Sequence, residues 1–116
     1  MLVTTRSMEP ERDLAVVEVQ GSLSFGAAER LGRALAAACE GHERVIADLT
    51  AATDLSPEAI GALAAAAARH RLGGGRFAVV ATGEVAQVLV RAGFASDLNL
   101  AGGVEEARAA LSNSDG

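Results

Sequence analysis

Cysteine, proline and aromatic side chains are scarce in this chain. The 116 residues include a single cysteine, Cys39, which excludes an internal disulfide and suits a reducing cytoplasm. Only three residues are aromatic, all phenylalanine, so any core must come from Val, Leu, Ile and Ala, with helices lying close to a sheet. Basic clusters are missing too. A net charge of −5 and an acidic pI speak against nucleic acid, whose phosphates demand grouped cations, and nothing basic suggests an anionic membrane surface. The longest apolar run, Ala62 to Ala68, is far too short to span a bilayer, and no basic segment followed by an apolar stretch marks a secretory leader. These absences predict a soluble, cytoplasmic protein. Its length fits one domain over residues 1–116, with 112–116 a frayed polar tail.

What is present is organised around residues 44 to 70. Val45-Ile46-Ala47-Asp48-Leu49 is a short apolar run that fits a buried parallel strand, here predicted over Arg44–Asp48. A polar loop over Thr50–Ser56 follows, and then a helix whose start is marked twice. The Ser56 hydroxyl suits an N-cap, and Pro57 suits the first helical position, where its missing N–H costs nothing. Glu58 adds a carboxylate at the positive end of the helix dipole. A polar loop feeding a helix N-terminus at the carboxyl end of a strand is where α/β sheets place their working surface.

Before this stretch, Leu2–Ser7 and Leu14–Gln20 predict a hairpin of strands around a polar turn at Met8–Asp13. Gly21-Ser22-Leu23-Ser24 leaves the second strand for a helix over about 26–40, with Ala28, Leu31, Leu35 and Ala38 on one face. After it, Leu72-Gly73-Gly74-Gly75 stops the central helix and Arg76–Ala81 is a fourth strand. Thr82 is placed to cap a helix over about 84–92. Asp97–Leu100 suggests a short edge strand, and Val104–Leu111 a final helix. The order predicts an α/β fold: a mixed sheet of four to five strands packed with four helices.

Asp48-Leu49-Thr50, followed by Ala59-Ile60-Gly61-Ala62-Leu63 and an alanine-rich helix, resembles the STAS domain signature, roughly D-L-S-x-V-x-F-I-D-S-S-G-L-x-x-L, without gaps. Gly21-Ser22-Leu23-Ser24, Gly93-Phe94 and Val104-Glu105-Glu106-Ala107 resemble further steps of that family, so the likeness covers about residues 12–111. It implies a non-catalytic regulatory domain of the anti-sigma factor antagonist type. The implied partner is a kinase-like anti-sigma factor, and a homodimer is left open. In that family a serine on the first turn of the central helix is phosphorylated, and modification releases the partner. That serine falls on Pro57, and the preceding aspartate falls on Ser56. Three outcomes stay open: no phosphorylation, Ser56 as substitute acceptor, or Thr50 or Thr53 in that role.

The other chemistry-bearing residues have plainer uses. His42 and His70 stand in a turn and near a helix end, with no Cys or His at metal-ligand spacing. Cys39 suits a small buried hydrophobe. Gly73-Gly74-Gly75 leads from helix to strand, the reverse of a phosphate loop. Asp48, Asp54 and Glu58 suit capping and solvation better than a Mg²⁺ site. No catalytic set, metal or cofactor is therefore expected, and an enzyme is the least favoured class. The expected partner surface comprises Ser22, Leu23, Ser24 and Phe25 with Asp54, Leu55, Ser56, Pro57 and Glu58, and with Ala59 and Ala62 on a smooth outer face of the central helix. The alternatives are a STAS subunit of an ABC-type transporter assembly and a small-ligand or nucleotide sensor.

Overall fold

A computed structural model describes residues 1–8, 13–24 and 26–112. The turn expected at Met8–Asp13 falls mostly on 9–12, outside the described residues, as do Phe25 and residues 113–116 of the expected tail. Strands β1 (Leu2–Ser7) and β2 (Leu14–Leu23) pair antiparallel, with Val3 opposite Val19 and Ser7 opposite Ala15. Helix α1 (Ala27–Gly41) returns the chain to β3 (Arg44–Leu55), which lies parallel to β2. Helix α2 (Pro57–Leu72) leads to β4 (Arg76–Val80), parallel to β3. Helices α3 (Gly83–Arg91) and α4 (Val104–Ser112) complete an α/β fold on a four-stranded mixed sheet ordered β1-β2-β3-β4.

The sheet's two faces are covered unequally, because alternate strand residues point opposite ways. Ala15, Val17 and Val19 of β2, Val45, Ala47 and Leu49 of β3, and Phe77 and Val79 of β4 meet Leu31 and Leu35 of α1, Ile60 and Leu63 of α2, and Val85 and Leu89 of α3. On the other face Val16, Ile46, Ala78 and Val80 are closed by Ala107 and Leu111 of α4. Burying one such leucine contributes about 2 kcal/mol, and the alanines let the helices sit close to the strands.

Two strand expectations are corrected. First, β3 does not end at Asp48. It runs on to Leu55, so Thr50–Leu55 is strand rather than loop, and β2 extends with it to Leu23. The register slips between Glu18 and Gln20 and again between Gly21 and Ser22, so the longer strand carries extra residues there. Such bulges break the alternation by which a strand is recognised in sequence and re-aim side chains near functional ends. Gly21 has φ +90, a conformation that admits glycine at little cost, and Met1 packs against it. Second, Asp97–Leu100 is a run of turns, not an edge strand. Leu98 is fully buried, and Asn99 has positive φ with its side-chain amide donating to the Phe77 carbonyl at 2.9 Å. Ala101 alone bridges Val80 in parallel.

Candidate functional site

The carboxyl ends of β2 and β3 and the start of α2 come together at one end of the sheet. Ser22 pairs with Asp54, and Leu23 with Leu55. The Ser22 hydroxyl donates to both Asp54 carboxylate oxygens, at 2.8 and 2.9 Å, and the Leu23 backbone N–H donates to Asp54 Oδ1 at 3.0 Å. The Leu23 carbonyl in turn accepts from the Ser56 N–H at 2.9 Å. Asp54 therefore clasps the end of β2, and β2 holds the residue from which α2 starts. Leu23 is fully buried and Leu55 packs on the core, so they brace the surface from beneath.

Helix α2 begins as its sequence dictates. Ser56 is the N-cap with extended backbone, and its hydroxyl accepts from the Ala59 N–H at 3.1 Å, while Pro57 takes the first helical position. Pro57 and Glu58 are exposed, as are Ser24, Thr50, Thr53 and Asp54. The Thr50 hydroxyl and N–H both donate to Asp48 Oδ1, at 2.8 and 3.0 Å, which ties Thr50 to the residue two positions back on β3.

The expected outer alanine face is corrected. Ala59 is wholly buried beneath the helix start, and Ala62 and Ala66 are half-buried against the core. Ala62 and Ala66, together with Ala65, line a groove of about 920 Å³ shared with Gly32, Ala36 and Cys39 of α1. The positions that do face outward are Gly61, Ala65 and Ala68. Burial raises the Cys39 thiol, against a smaller opposing effect of Arg69, so its thiolate is disfavoured.

Both histidines serve structure at the opposite end of the sheet. His42 bonds the Ala38 carbonyl through Nδ1 at 3.0 Å and Ser7 Oγ through Nε2 at 2.7 Å. His70 Nε2 donates to the Glu43 carbonyl at 2.7 Å. Among the described residues no group of three or more His, Cys, Asp or Glu could hold a metal ion, and no helix is long and apolar enough to cross a membrane.

The STAS domain family model matches residues 6–107. The chain belongs to the STAS domain family. No curated protein matches it, whereas solved structures do. It is similar to an anti-sigma factor antagonist from Mycobacterium paratuberculosis, with 23% identity over 97% of this chain and 94% of that one and a TM-score of 0.84. It is similar to the Bacillus cell fate determinant SpoIIAA in its phosphorylated form, with 15% identity over 95% and 99% of the two chains and a TM-score of 0.69. It also matches part of the murine Slc26a9 anion transporter, with 14% identity over 86% of this chain but 18% of that one and a TM-score of 0.72. At these identities the likeness establishes a shared fold.

The Ser22–Asp54 clasp is what sequence reasoning missed. The two residues are 32 apart, and only the strand pairing beyond Asp48 brings them into contact.

Proposed function

We propose that this STAS domain is a non-catalytic regulator of the anti-sigma factor antagonist type. It binds a kinase-like anti-sigma factor in the cytoplasm through Ser22, Ser24, Asp54, Leu55, Ser56, Pro57 and Glu58. The observation that carries this reading is the braced end of the molecule. Asp54 fixes β2 against β3, Ser56 caps α2, and the exposed Pro57 and Glu58 stand beside them on a rigid start. Surfaces held in place before contact lose less conformational freedom on binding. The fold shared with an anti-sigma factor antagonist supports the same assignment.

The first turn of α2 is not phosphorylated in this reading, because Pro57 has no hydroxyl and the Ser56 oxygen is engaged in capping. Thr50 is likewise tied to Asp48, and Thr53 is exposed but takes no part in the clasp.

Charge reversal at Glu58 tests the surface. Glu58→Lys abolishes capture of the partner while the melting temperature barely changes, read by pull-down and thermal denaturation on the same preparation. Unchanged capture refutes the surface. The partial match to an anion transporter favours one second reading, a regulatory domain of a transporter assembly. Co-purification with a membrane transporter instead of a sigma-factor regulator selects it.

A further inference from the structure

We propose that the free edge of β1 pairs with the same edge of a second copy of this chain, joining two four-stranded sheets into one continuous sheet. The two edges of the sheet are finished differently. Along β4 the outward backbone groups are taken up by residues 98–101. The Val79 N–H donates to the Leu98 carbonyl at 2.9 Å, and the Ala81 N–H to the Ala101 carbonyl at 3.1 Å. The Val79 carbonyl accepts from the Ala101 N–H at 2.9 Å, and the Phe77 carbonyl from the Asn99 side-chain amide at 2.9 Å. Along β1 nothing comparable occurs. The Met8 N–H donates to the Leu14 carbonyl at 2.8 Å, so in the unbroken antiparallel register Arg6, Thr4 and Leu2 also turn their backbone groups to β2. Val3, Thr5 and Ser7 turn theirs outward, and among the described residues no hydrogen bond reaches those N–H and carbonyl groups. The usual guards of an open edge are missing as well. β1 carries no proline, no lysine and no bulge, and its one charge, Arg6, is held by Glu18 at 2.9 Å.

The occupant is a second copy because this edge is complementary to itself. Antiparallel pairing about a two-fold axis at Thr5 sets Thr5 opposite Thr5, and Val3 opposite Ser7 of the second copy. Every outward N–H of the strand then meets a carbonyl. An axis at Thr4 would leave Ser7 without a partner on the strand, so the axis at Thr5 is the one that uses the whole edge. Threonines facing each other across paired strands also make a favourable contact. No helix stands in the way. Helix α1 lies chiefly over β2 and α4 over β3 and β4. The two copies of α1 are therefore about 14 Å apart, three strand spacings, against roughly 8–10 Å for packed helices. In the pair, β2 of one copy runs antiparallel to β2 of the other. The two starts of α2 consequently point to opposite ends of the joined sheet, and both stay open.

The test is sedimentation equilibrium on the full chain from about 1 μM to about 1 mM, the range in which a pairing of this limited area shows itself. The parent associates to a dimer. Thr5→Pro weakens the association about a hundredfold, because both central bonds go at once. Its melting temperature at low concentration barely changes, since the Thr5 N–H faces away from β2. Thr5→Lys keeps every backbone group and sets like charges across the axis, so it weakens association about fivefold even if the proline variant folds poorly. Glu58→Lys associates like the parent, because the β1 edge is apart from the start of α2. Amide exchange reads the register directly: the N–H groups of Val3, Thr5 and Ser7 exchange more slowly as the parent is concentrated. A parent that stays monomeric at about 1 mM, or a dimer that survives both Thr5 variants or is lost in Glu58→Lys, overturns the proposal. Slowing of those three amides only when another protein is added gives the edge to a different chain and overturns it equally.

Discussion

The two ends of the sheet use their polar side chains differently. At the amino ends of β3 and β4 the side chains of Arg44, Arg76, His42 and His70 stitch separate elements together. Arg44 forms a bidentate pair with Asp13 (2.8 and 3.0 Å) and also donates to Ser112 Oγ at 3.1 Å, while Arg76 donates to the Leu111 carbonyl at 3.0 Å. These two arginines supply cations at the C-terminus of α4, whose own last turn has no basic residue. His70 ties α2 to the segment before β3, and His42 ties α1 to β1. At the carboxyl ends the bonds are local, as in Asp48–Thr50 and Ser56–Ala59, apart from the Ser22–Asp54 clasp. Pro57, Glu58 and Thr53 are left to solvent. One end is committed to holding the fold, and the other leaves Thr53, Pro57 and Glu58 exposed, where the proposed partner surface lies.

Breaking the stitched end gives the largest loss of stability. Arg44 is 8% exposed, so Arg44→Met removes a buried cation's bonds to Asp13 and Ser112 together. The expected cost is about 2–3 kcal/mol in urea unfolding. A cost no greater than that of Glu58→Lys erases the contrast between the ends. Gly75→Ala comes next. Its Cβ would clash with the His70 ring, so the ring must swing away and release the Glu43 carbonyl. About 1–1.5 kcal/mol is expected, and His70→Ala should make the Gly75 change nearly neutral in a double-mutant cycle. At the site end Ser56→Ala removes the α2 cap and costs about 1 kcal/mol.

Acid acts on the stitched end as well. The hydrogen bond from Arg44 holds the Asp13 carboxyl below the usual carboxylate range, with the attraction of the two charges adding to it against a smaller opposing effect of desolvation. A carboxyl depressed in the folded state contributes stability that is complete above its unfolded value. That contribution is lost as pH falls through the lower folded value. Asp13→Asn therefore flattens the acid limb of stability below the ordinary carboxylate range, measured by denaturant midpoints along a pH series, and leaves neutral-pH partner binding unchanged. The smallest effect on stability belongs to Glu58→Lys, at about 0.5 kcal/mol from the helix dipole, although it has the largest expected effect on partner capture.

Local chemistry made much of the fold legible. The Ser56-Pro57 start of α2 is where the sequence placed it, because cap and proline act within one turn. The ranges of β1, β4 and α4 also lie close to expectation, since apolar runs and glycine stops are short-range signals. Thr82 occupies the N-cap of α3 but makes no side-chain cap bond, so a suitable residue type did not guarantee the interaction. The second half of β3 escaped notice because Thr50–Leu55 is polar, bulged and stabilised by β2 rather than by its own pattern. Ala59 and Ala62 were misplaced for another reason. In a helix that is alanine on several sides, the apolar residues do not distinguish a buried face from an outer one.

The sequence by itself determined the family, the order of the four strands and four helices apart from the strand expected at Asp97–Leu100, and the capped start of α2, all of which rest on contacts between residues near in the chain or on a spaced signature. Only the tertiary structure decided how far β3 runs, which alanines of α2 are buried and that Ser22 meets Asp54. Those outcomes depend on pairing between β2 and β3 and on the packing of α2 against α1 and the sheet. Such contacts join residues tens of positions apart, so no local pattern specifies them.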